Sequence, residues 1–356
     1  MKALSFSNFG NPETVITYQE CTIPEPQAGE VRIRMIFAPI HNHHLWYVKG
    51  RYGIKPVLPA ISGDEAIGVI EKIGTGVRGL KIGQKVIACK MWGAWAEMFL
   101  AKATDVVPVP KNVSDEVAAQ LFSMPLSTMM LLAMTGAKAG DWIIQNAANG
   151  AVGKMLAGIA ATRQIKVVSL VRSEQAKLEM TDLKIENVIV TSDMDWQEQV
   201  LALTAGHTAI AGVDSLGGEP SMQLLSLLKE GGALISFGAQ TQQPLMIDPS
   251  DLIFQNKKVR GFWATRSAKE MPLKVKIKIF INVIKALFSG KLTLSEGGGL
   301  NIERLSKALA LKNLAEMLRA GKIHLPVAGI FPLSAYKEAL ALSEKSGRNG
   351  KVLFRS

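Results

Sequence analysis

A glycine turn between an apolar strand and a small-residue helix is the first feature of this chain that could do chemistry. Residues 142–146 read as the strand, and Ala148, Gly150 and Gly153 fit an A-x-G-x-x-G pattern before the helix. Small residues at these positions let the backbone approach a pyrophosphate, which the unpaired N–H groups at a helix start then stabilise. A second strand, residues 166–171, follows at the spacing of a βαβ unit. The pattern predicts a dinucleotide-binding turn, the alternative being an ordinary strand-to-helix turn.

The end of that second strand indicates which dinucleotide is favoured. A site for NAD usually has an Asp or Glu there to hold the ribose 2′-hydroxyl, whereas this chain has Arg172 and Ser173. A guanidinium can pair bidentately with a phosphate, and the hydroxyl of Ser169 or Ser173 can add a hydrogen bond. We therefore predict NADPH as the cofactor, while a solvated arginine at a strand end is the alternative.

Size and composition set limits on the class of protein. The chain has 356 residues, 48% hydrophobic and 20% charged, which is an ordinary globular balance with room for two domains. Its two cysteines, Cys21 and Cys89, are far apart and suit a reducing compartment. We see neither a secretory signal nor an apolar run of the roughly 18 residues that span a bilayer. The sequence predicts a cytoplasmic protein.

The net charge of +11 makes an anionic partner plausible. Part of this charge lies in lysines between residues 269 and 285, where a solvated helix face is favoured over a dedicated binding patch. No recognised nucleic-acid-binding module is found, so nucleic acid is a weak alternative to a phosphorylated substrate or an acidic substrate carrier.

The order of elements predicts an α/β protein of two domains. Short strands broken by Gly and Pro fill the first part of the chain and indicate a β-barrel domain, with strands at 31–37, 66–73 and 85–88. A helix over 118–134 follows, and then strands alternate with helices as in a doubly wound parallel sheet. These strands are predicted at 142–146, 166–171, 187–191, 211–215, 233–238 and 258–262.

The last part of the chain is predicted to return to the barrel. Helices are expected at 275–289 and 302–320, joined at Gly297-Gly298-Gly299, before a strand-helix-strand segment over 327–354. We therefore predict a barrel domain over 1–118, completed by 267–356, and a nucleotide-binding domain over 119–266.

Four segments together resemble the medium-chain dehydrogenase/reductase superfamily, in its zinc-independent 2-enoyl thioester reductase and quinone oxidoreductase branch. They are residues 50–66, the turn at 145–153, Asp214-Ser215-Leu216-Gly217-Gly218 and Arg260-Gly261-Phe262-Trp263. The resemblance covers nearly the whole chain. It implies a GroES-like β-barrel domain and a Rossmann domain, with the active site in the cleft between them.

Zinc-containing members of this superfamily hold a catalytic metal with Cys, His and a further Cys or acid. By the resemblance, the first of these positions is His41, the second is Asp64, and the third lies near Met124, which offers no suitable donor. The close group of His41, His43 and His44 is a metal-site alternative, because imidazole is a common ligand. We predict no metal.

The resemblance implies hydride transfer from NADPH to an activated carbon–carbon double bond, with Tyr52 as the catalytic residue. Hydride addition to an enoyl thioester builds negative charge on the carbonyl oxygen, so a hydrogen-bond donor must face that oxygen. The hydroxyl of Tyr52 is the best candidate, the alternative being a ring that only packs in a loop. Quinone reduction by NADPH, zinc-type alcohol dehydrogenation and a non-catalytic dinucleotide-sensing or nucleic-acid-binding role are the other functions considered.

Further site residues follow from the same resemblance. The predicted substrate contacts are His41, Asn42, His43, Trp46 and Trp263. The predicted cofactor contacts are Asn149, Gly150, Ala151, Val152, Gly153, Arg172, Ser173, Gly238 and Trp263. Asp64 and Glu65 are expected to hold the barrel together, and Ser127 and Thr128 are candidates for contact with the nicotinamide. A homodimer joined through the edges of the nucleotide domains is expected.

Overall fold

The computed structural model describes residues 1–206, 208–270, 302–345 and 347–356, with residues 273, 281, 282, 284, 285, 287, 289 and 291. It divides into two compact units. Unit 1 comprises Met1–Ser123, Pro272–Met317 and Leu325–Ser356, and unit 2 comprises Met124–Met271 and Leu318–His324. The predicted helix at 275–289 and the glycine joint at 297–299 lie outside the described residues, apart from the single positions just named.

We number the elements in chain order. The strands are β1 (Lys2–Phe6), β2 (Ile16–Glu20), β3 (Glu30–Pro39), β4 (Ala60–Ile61), β5 (Glu65–Ile73), β6 (Lys85–Cys89), β7 (Met98–Lys102), β8 (Val106–Pro108), β9 (Trp142–Gln145), β10 (Lys166–Val171), β11 (Val188–Val190), β12 (Ala209–Asp214), β13 (Leu228–Ser236), β14 (Lys258–Gly261), β15 (Val327–Pro332) and β16 (Lys351–Arg355). The helices are α1 (Pro12–Val15), α2 (Asn42–Val48), α3 (Asp115–Ala118), α4 (Ser123–Met134), α5 (Ala151–Ala161), α6 (Glu174–Asp182), α7 (Trp196–Leu203), α8 (Glu219–Ser226), α9 (Pro249–Ile253), α10 (Ala264–Lys269), α11 (Ile302–Arg319) and α12 (Tyr336–Glu344).

Unit 1 is built around a seven-stranded sheet in the order β15-β16-β3-β5-β6-β8, with β7 also paired to β3. Alternate residues of β3 point inward, because successive side chains of a strand face opposite sides. Val31, Ile33 and Met35 are buried, whereas Arg34 is exposed and pairs with Glu71. The inward residues join one hydrophobic core that includes Trp95 and Phe354.

Unit 2 contains a six-stranded, all-parallel sheet in the order β11-β10-β9-β12-β13-β14. Its strands are apolar runs, as expected where helices cover both faces. The strand order reverses between β9 and β12, and ligands of such sheets bind at the carboxyl ends of the strands at this switch point. The predicted turn at 146–150 begins here, directly after β9.

The helix predicted at 118–134 is present as α4 over Ser123–Met134, but its predicted start is wrong, because residue 118 ends the separate helix α3 and a break follows at 119–122. The break has two physical causes. Pro125 lies in the first turn of α4, where its missing N–H is tolerated, and it could not continue a helix from α3. The side chain of Glu65 also accepts hydrogen bonds from the backbone N–H groups of Phe122 (2.8 Å) and Ser123 (3.1 Å).

Candidate active site

The turn after β9 leaves several backbone N–H groups for an anion. Gly150 is the N-cap of α5, and the first N–H that bonds within the helix is that of Lys154, to the carbonyl of Gly150 (3.0 Å). The N–H groups of Ala151, Val152 and Gly153 therefore have no partner within the helix. Together with the helix dipole, they can bind a phosphate group.

Two glycines near this turn are required by close backbone contacts. A Cβ atom on Gly153 would overlap the carbonyl oxygen of Ala148, so α5 packs directly on the turn. A Cβ atom on Gly238 would lie 2.8 Å from the carbonyl oxygen of Ser215. Gly238, predicted as a cofactor contact, thus lies against the end of β12, on the carboxyl edge of the sheet.

Asn146, which is not among the predicted site residues, links the turn to β12. Its Nδ2 atom donates to Oδ1 of Asp214 (2.7 Å), and its Oδ1 accepts from the N–H of Ser215 (2.8 Å). Asp214 is completely buried, and its Oδ2 accepts from the hydroxyl of Ser221 (2.9 Å). An amide side chain at the end of an apolar strand could have indicated this role, because a buried polar group needs hydrogen-bond partners.

Gln145 makes the matching connection on the other side of β9. Its Nε2 atom donates to the carbonyl of Gly153 (3.0 Å) and to the hydroxyl of Ser169 on β10 (3.1 Å). The hydroxyl of Ser169 was considered above as a phosphate contact. In the structure it accepts the hydrogen bond from Gln145. The side chain of Ser169 is buried.

The residues predicted to read the ribose phosphate lie at the end of β10. Arg172 follows the last residue of the strand and is exposed. Ser173 is the N-cap of α6, and its hydroxyl accepts from the N–H of Ala176 (3.3 Å). The hydroxyl proton of Ser173 remains available for donation to a phosphate oxygen.

In unit 1, Tyr52 lies on the turn that follows α2. The carbonyl of Trp46 accepts from the N–H groups of Arg51 (2.9 Å) and Tyr52 (3.1 Å), which fixes this turn. The half-buried Tyr52 ring stacks on His43 with the ring centroids 5.5 Å apart, and its edge meets Trp92 at 6.0 Å. Trp92 is not among the predicted site residues, because it is remote from Tyr52 in sequence.

His41 lies in the interior beside Glu65. Its Nε2 atom is 3.0 Å from Oε2 of Glu65, and both side chains are completely buried. Burial, reinforced by the nearby charge of Asp64, raises the pKa of the Glu65 carboxyl to about 8. Burial also lowers the pKa of His41 well below the usual value for histidine. At neutral pH both groups are uncharged, and the Glu65 O–H donates to His41.

Asp64 lies between the other two histidines. Its Oδ1 is 2.7 Å from Nε2 of His44, and its Oδ2 is 3.1 Å from Nε2 of His43. Burial opposes its charge, yet His43 and His44 hold the pKa of the Asp64 carboxyl well below its usual range. Burial, with repulsion from His43, lowers the pKa of His44 to about 4. Asp64 is therefore an ionised acceptor for the neutral ring of His44.

The predicted site residues form two sets. His41, His43 and Trp46 come together around α2 with Tyr52, and Asn42 is exposed at the start of this helix. The phosphate turn, Arg172, Ser173 and Gly238 belong to the carboxyl edge of the sheet in unit 2. Trp263 is half-buried and is the N-cap of α10, after β14. Their assignment to substrate or cofactor stays a prediction.

Known proteins are similar to this chain in sequence and in fold. The zinc-binding dehydrogenase family model matches residues 151–276, and the alcohol dehydrogenase GroES-like domain matches residues 27–111. The mitochondrial enoyl-[acyl-carrier-protein] reductase of Caenorhabditis elegans is 33% identical over 273 residues, which cover 74% of this chain and 78% of that protein.

Two solved structures share the fold over the whole chain. A quinone oxidoreductase of Pseudomonas syringae pv. Tomato DC3000 has a TM-score of 0.81 at 23% identity, covering 100% of this chain and 99% of its own. A mycobacterial protein in complex with NADPH has a TM-score of 0.79 at 22% identity, covering 100% of both chains.

The chain belongs to the medium-chain dehydrogenase/reductase superfamily, in its enoyl reductase and quinone reductase branch. It is an enzyme, an oxidoreductase. The predicted fold class, a GroES-like domain with a Rossmann-type parallel sheet, is confirmed.

The zinc-binding family name calls for a test of the donor atoms. The ligand atoms of His43, His44 and Asp64 lie within 4.8 Å of one another. However, Nδ1 of His44 accepts from the N–H of His41 (3.2 Å), so the proton of this neutral ring lies on Nε2 and leaves no lone pair there for a metal. The N–H of Asp64 also lies 3.2 Å from this Nε2, a longer contact than the 2.7 Å to the carboxylate. This set of donors does not fit zinc.

No helix in the described part of the chain combines the length and the apolar character that a membrane crossing requires.

Proposed function

We propose that the protein reduces the carbon–carbon double bond of a trans-2-enoyl thioester, carried on coenzyme A or acyl carrier protein, with NADPH. The observation that carries this proposal is the position of Tyr52, whose ring packs against both His43 and Trp92 on a turn fixed by Trp46. The similarity to an enoyl-[acyl-carrier-protein] reductase supports the substrate class.

The chemistry follows from the charge that develops on the substrate. A bound NADPH would supply hydride chemistry at the β-carbon of the substrate. The electron pair of the double bond would then give an enolate with its charge on the thioester oxygen, and a proton from solvent would complete the reduction at the α-carbon. The hydroxyl of Tyr52 donates a hydrogen bond to this oxygen and stabilises its negative charge. A donor held in position before the reaction needs little reorganisation, which is why a fixed turn matters for this residue.

NADPH rather than NADH is supported by the residues at the end of β10. Arg172 can pair with a 2′-phosphate, and Ser173 keeps its hydroxyl proton for the same group. Ala151, Val152 and Gly153 would bind the pyrophosphate through backbone N–H groups. Asn149 and Gly150 would lie beside it, the N–H of Gly150 being used within the turn by the carbonyl of Ala147 (3.0 Å), with Gly238 and Trp263 nearer the nicotinamide. The NADPH complex of the mycobacterial structure is consistent with this choice.

We further propose that the enzyme is a cytoplasmic homodimer joined through the edges of its nucleotide domains. β14 is an edge strand of the parallel sheet, and the apolar residues Ile253 and Phe254 just before it are 69% and 80% exposed. A covered edge would remove both the exposed apolar surface and the unpaired strand groups.

The test is an assay of purified protein with crotonyl thioesters, quinones, enals and alcohols, each with NADPH and with NADH. We expect the thioester with NADPH to give the highest kcat/KM. If only quinones oxidise NADPH, the proposal is wrong and the protein is a quinone reductase. The similarity to the Pseudomonas syringae structure would be consistent with that outcome.

A further inference from the structure

One residue of the phosphate turn has a backbone conformation that its side chain disfavours. Ala147 has φ +46°, in the left-handed region that residues other than glycine rarely adopt. Such conformations persist only where neighbouring contacts hold them, and they are frequent at ligand-binding turns. The contacts that hold Ala147 therefore determine the shape of the turn before a ligand arrives.

The two residues before Ala147 supply these contacts, one toward β12 and the other toward β10. Asn146 is fixed to β12 through Asp214 and Ser215, and Gln145 is fixed to β10 and α5 through Ser169 and Gly153. On the other side of Ala147, the N–H of Ala148 donates to the carbonyl of Leu170 (3.0 Å). The left-handed residue thus lies between anchors on both neighbouring strands.

Asp214 is a rigid partner for Asn146. Besides the Asn146 amide, its Oδ1 accepts from the N–H groups of Leu216 (3.0 Å) and Gly217 (3.3 Å), and its Oδ2 accepts from Ser221. All of these bonds are buried or nearly so, where competition from water is weak. The carboxylate therefore cannot follow Asn146 if the turn relaxes.

We propose that Asn146 and Gln145 are positioning residues for the cofactor, which hold Ala147 in its left-handed conformation so that the turn presents its N–H groups to the pyrophosphate. This inference rests on the proposed function with NADPH, and it names the residues that shape the NADPH site before the cofactor binds. Neither side chain needs to touch the cofactor, because both act through the backbone of the turn. Preorganisation of this kind strengthens binding by removing the need to order the turn on contact.

The first experiment compares two variants that remove bonds from the same carboxylate. Asn146→Ala removes the bond to Asp214 Oδ1 together with the bond from the Ser215 N–H, whereas Ser221→Ala removes the bond to Oδ2 but leaves the turn attached. We measure the Kd of NADPH by fluorescence titration without acyl substrate, and the thermal midpoint of each variant. Asn146→Ala should raise the Kd about tenfold, the factor that corresponds to one non-glycine residue in the left-handed region. Ser221→Ala should change it less than about twofold, even if it lowers the thermal midpoint.

The second experiment asks whether the effect passes through Ala147. Glycine adopts the left-handed region without penalty, so Ala147→Gly should reduce the tenfold effect of Asn146→Ala to about threefold or less. If Asn146→Ala does not fold, Gln145→Met gives the same comparison, since it keeps the side-chain length and loses both bonds. Equal effects of Asn146→Ala and Ser221→Ala, or an effect unchanged by Ala147→Gly, would overturn the inference.

The two proposals fail in different ways. Wild-type protein that binds NADPH but does not reduce enoyl thioesters would refute the proposed function and leave this inference standing. An active wild-type enzyme whose Asn146→Ala variant binds NADPH normally would refute the inference alone. Wild-type protein that binds neither nicotinamide dinucleotide would refute both.

Discussion

The carboxyl of Glu65 and the imidazole of His41 meet at 3.0 Å as two neutral groups in the core of unit 1. Full burial makes the charged form of each group unfavourable, and the acid can donate a hydrogen bond to Nε2 of the imidazole, whose Nδ1 has no partner among the described residues. The other oxygen of Glu65 accepts from the backbone N–H groups of Phe122 and Ser123. Glu65 thus connects the start of β5 to the first residue of α4, as part of the structural framework.

The neutral state of Glu65 predicts how stability depends on pH. The pKa of this carboxyl is about 4.5 in the unfolded chain and about 8 in the folded protein. Between these values the folded state binds the extra proton, so the contribution of Glu65 is complete below pH 4.5 and is lost as the pH rises toward 8.

The variant Glu65→Gln mimics the neutral acid and cannot titrate. Relative to this variant, the wild-type protein should therefore lose free energy of unfolding between pH 5 and 8, as measured by urea denaturation. Glu71→Gln on the surface of the same strand is the control and should follow the wild type. Parallel pH curves for Glu65→Gln and the wild type would show that Glu65 is already ionised in the folded protein.

The second prediction concerns Tyr52. Tyr52→Phe keeps the ring against His43 and Trp92 but removes the hydroxyl, so kcat for the enoyl thioester should fall on the order of 10²-fold. The KM for NADPH should stay within about twofold, because Tyr52 is not predicted to contact the cofactor's phosphates. Tyr18→Phe, at an exposed position on β2, is the control. An unchanged kcat for Tyr52→Phe would remove this residue from the mechanism.

The third prediction concerns the choice of dinucleotide. Arg172→Ala should weaken NADPH binding by on the order of 10-fold, the scale of a charge-assisted hydrogen bond, and leave NADH binding unchanged. Lys138→Ala removes the same charge at the opposite end of the parallel strands and should affect neither dinucleotide. The ratio of the two Kd values for each variant is the measurement. A loss of NADH affinity equal to that of NADPH would mean that Arg172 does not read the 2′-phosphate.

The fourth prediction uses the tight packing of α5 on the turn. Gly153→Ala places a methyl group against the carbonyl of Ala148 and should destabilise the protein by about 1–3 kcal/mol, as overpacking does. It should also weaken NADPH binding, since the turn must shift. Gly261→Ala, whose added Cβ meets nothing within 4 Å, is the matched control in the same unit. Similar unfolding midpoints for the two variants would contradict the packing argument.

The fifth prediction concerns metal removal. Because the ring proton of His44 lies on Nε2, dialysis against a chelator should change neither the thermal midpoint nor the activity. Metal analysis of the purified protein should find zinc well below one equivalent. Stoichiometric zinc that is lost together with activity would contradict the protonation we assign to His44.

The sequence predicted local features well where the signal lies within one segment. The strand, turn and helix around Gly150 and the parallel order of strands depend on apolar runs and glycine spacing, and they agree with the structure. Pro125 could have indicated the break before α4, whereas the hydrogen bonds from Glu65 that fix it join residues remote in sequence. The pairing of Asp64 with His44 was missed for the same reason, and the role of Asn146 becomes visible only once β12 lies beside β9.

The position of β16 affects how the chain can fold during synthesis. This strand lies in the sheet of unit 1 between β15 and β3, so the carboxyl end of β3 lacks this neighbour until residues 351–355 are made. Most of unit 2 is one continuous stretch, Met124–Met271, which contains all six strands of its parallel sheet. On the ribosome, we therefore expect the sheet of the nucleotide-binding unit to be complete in sequence before that of unit 1, whose last strand must still be added.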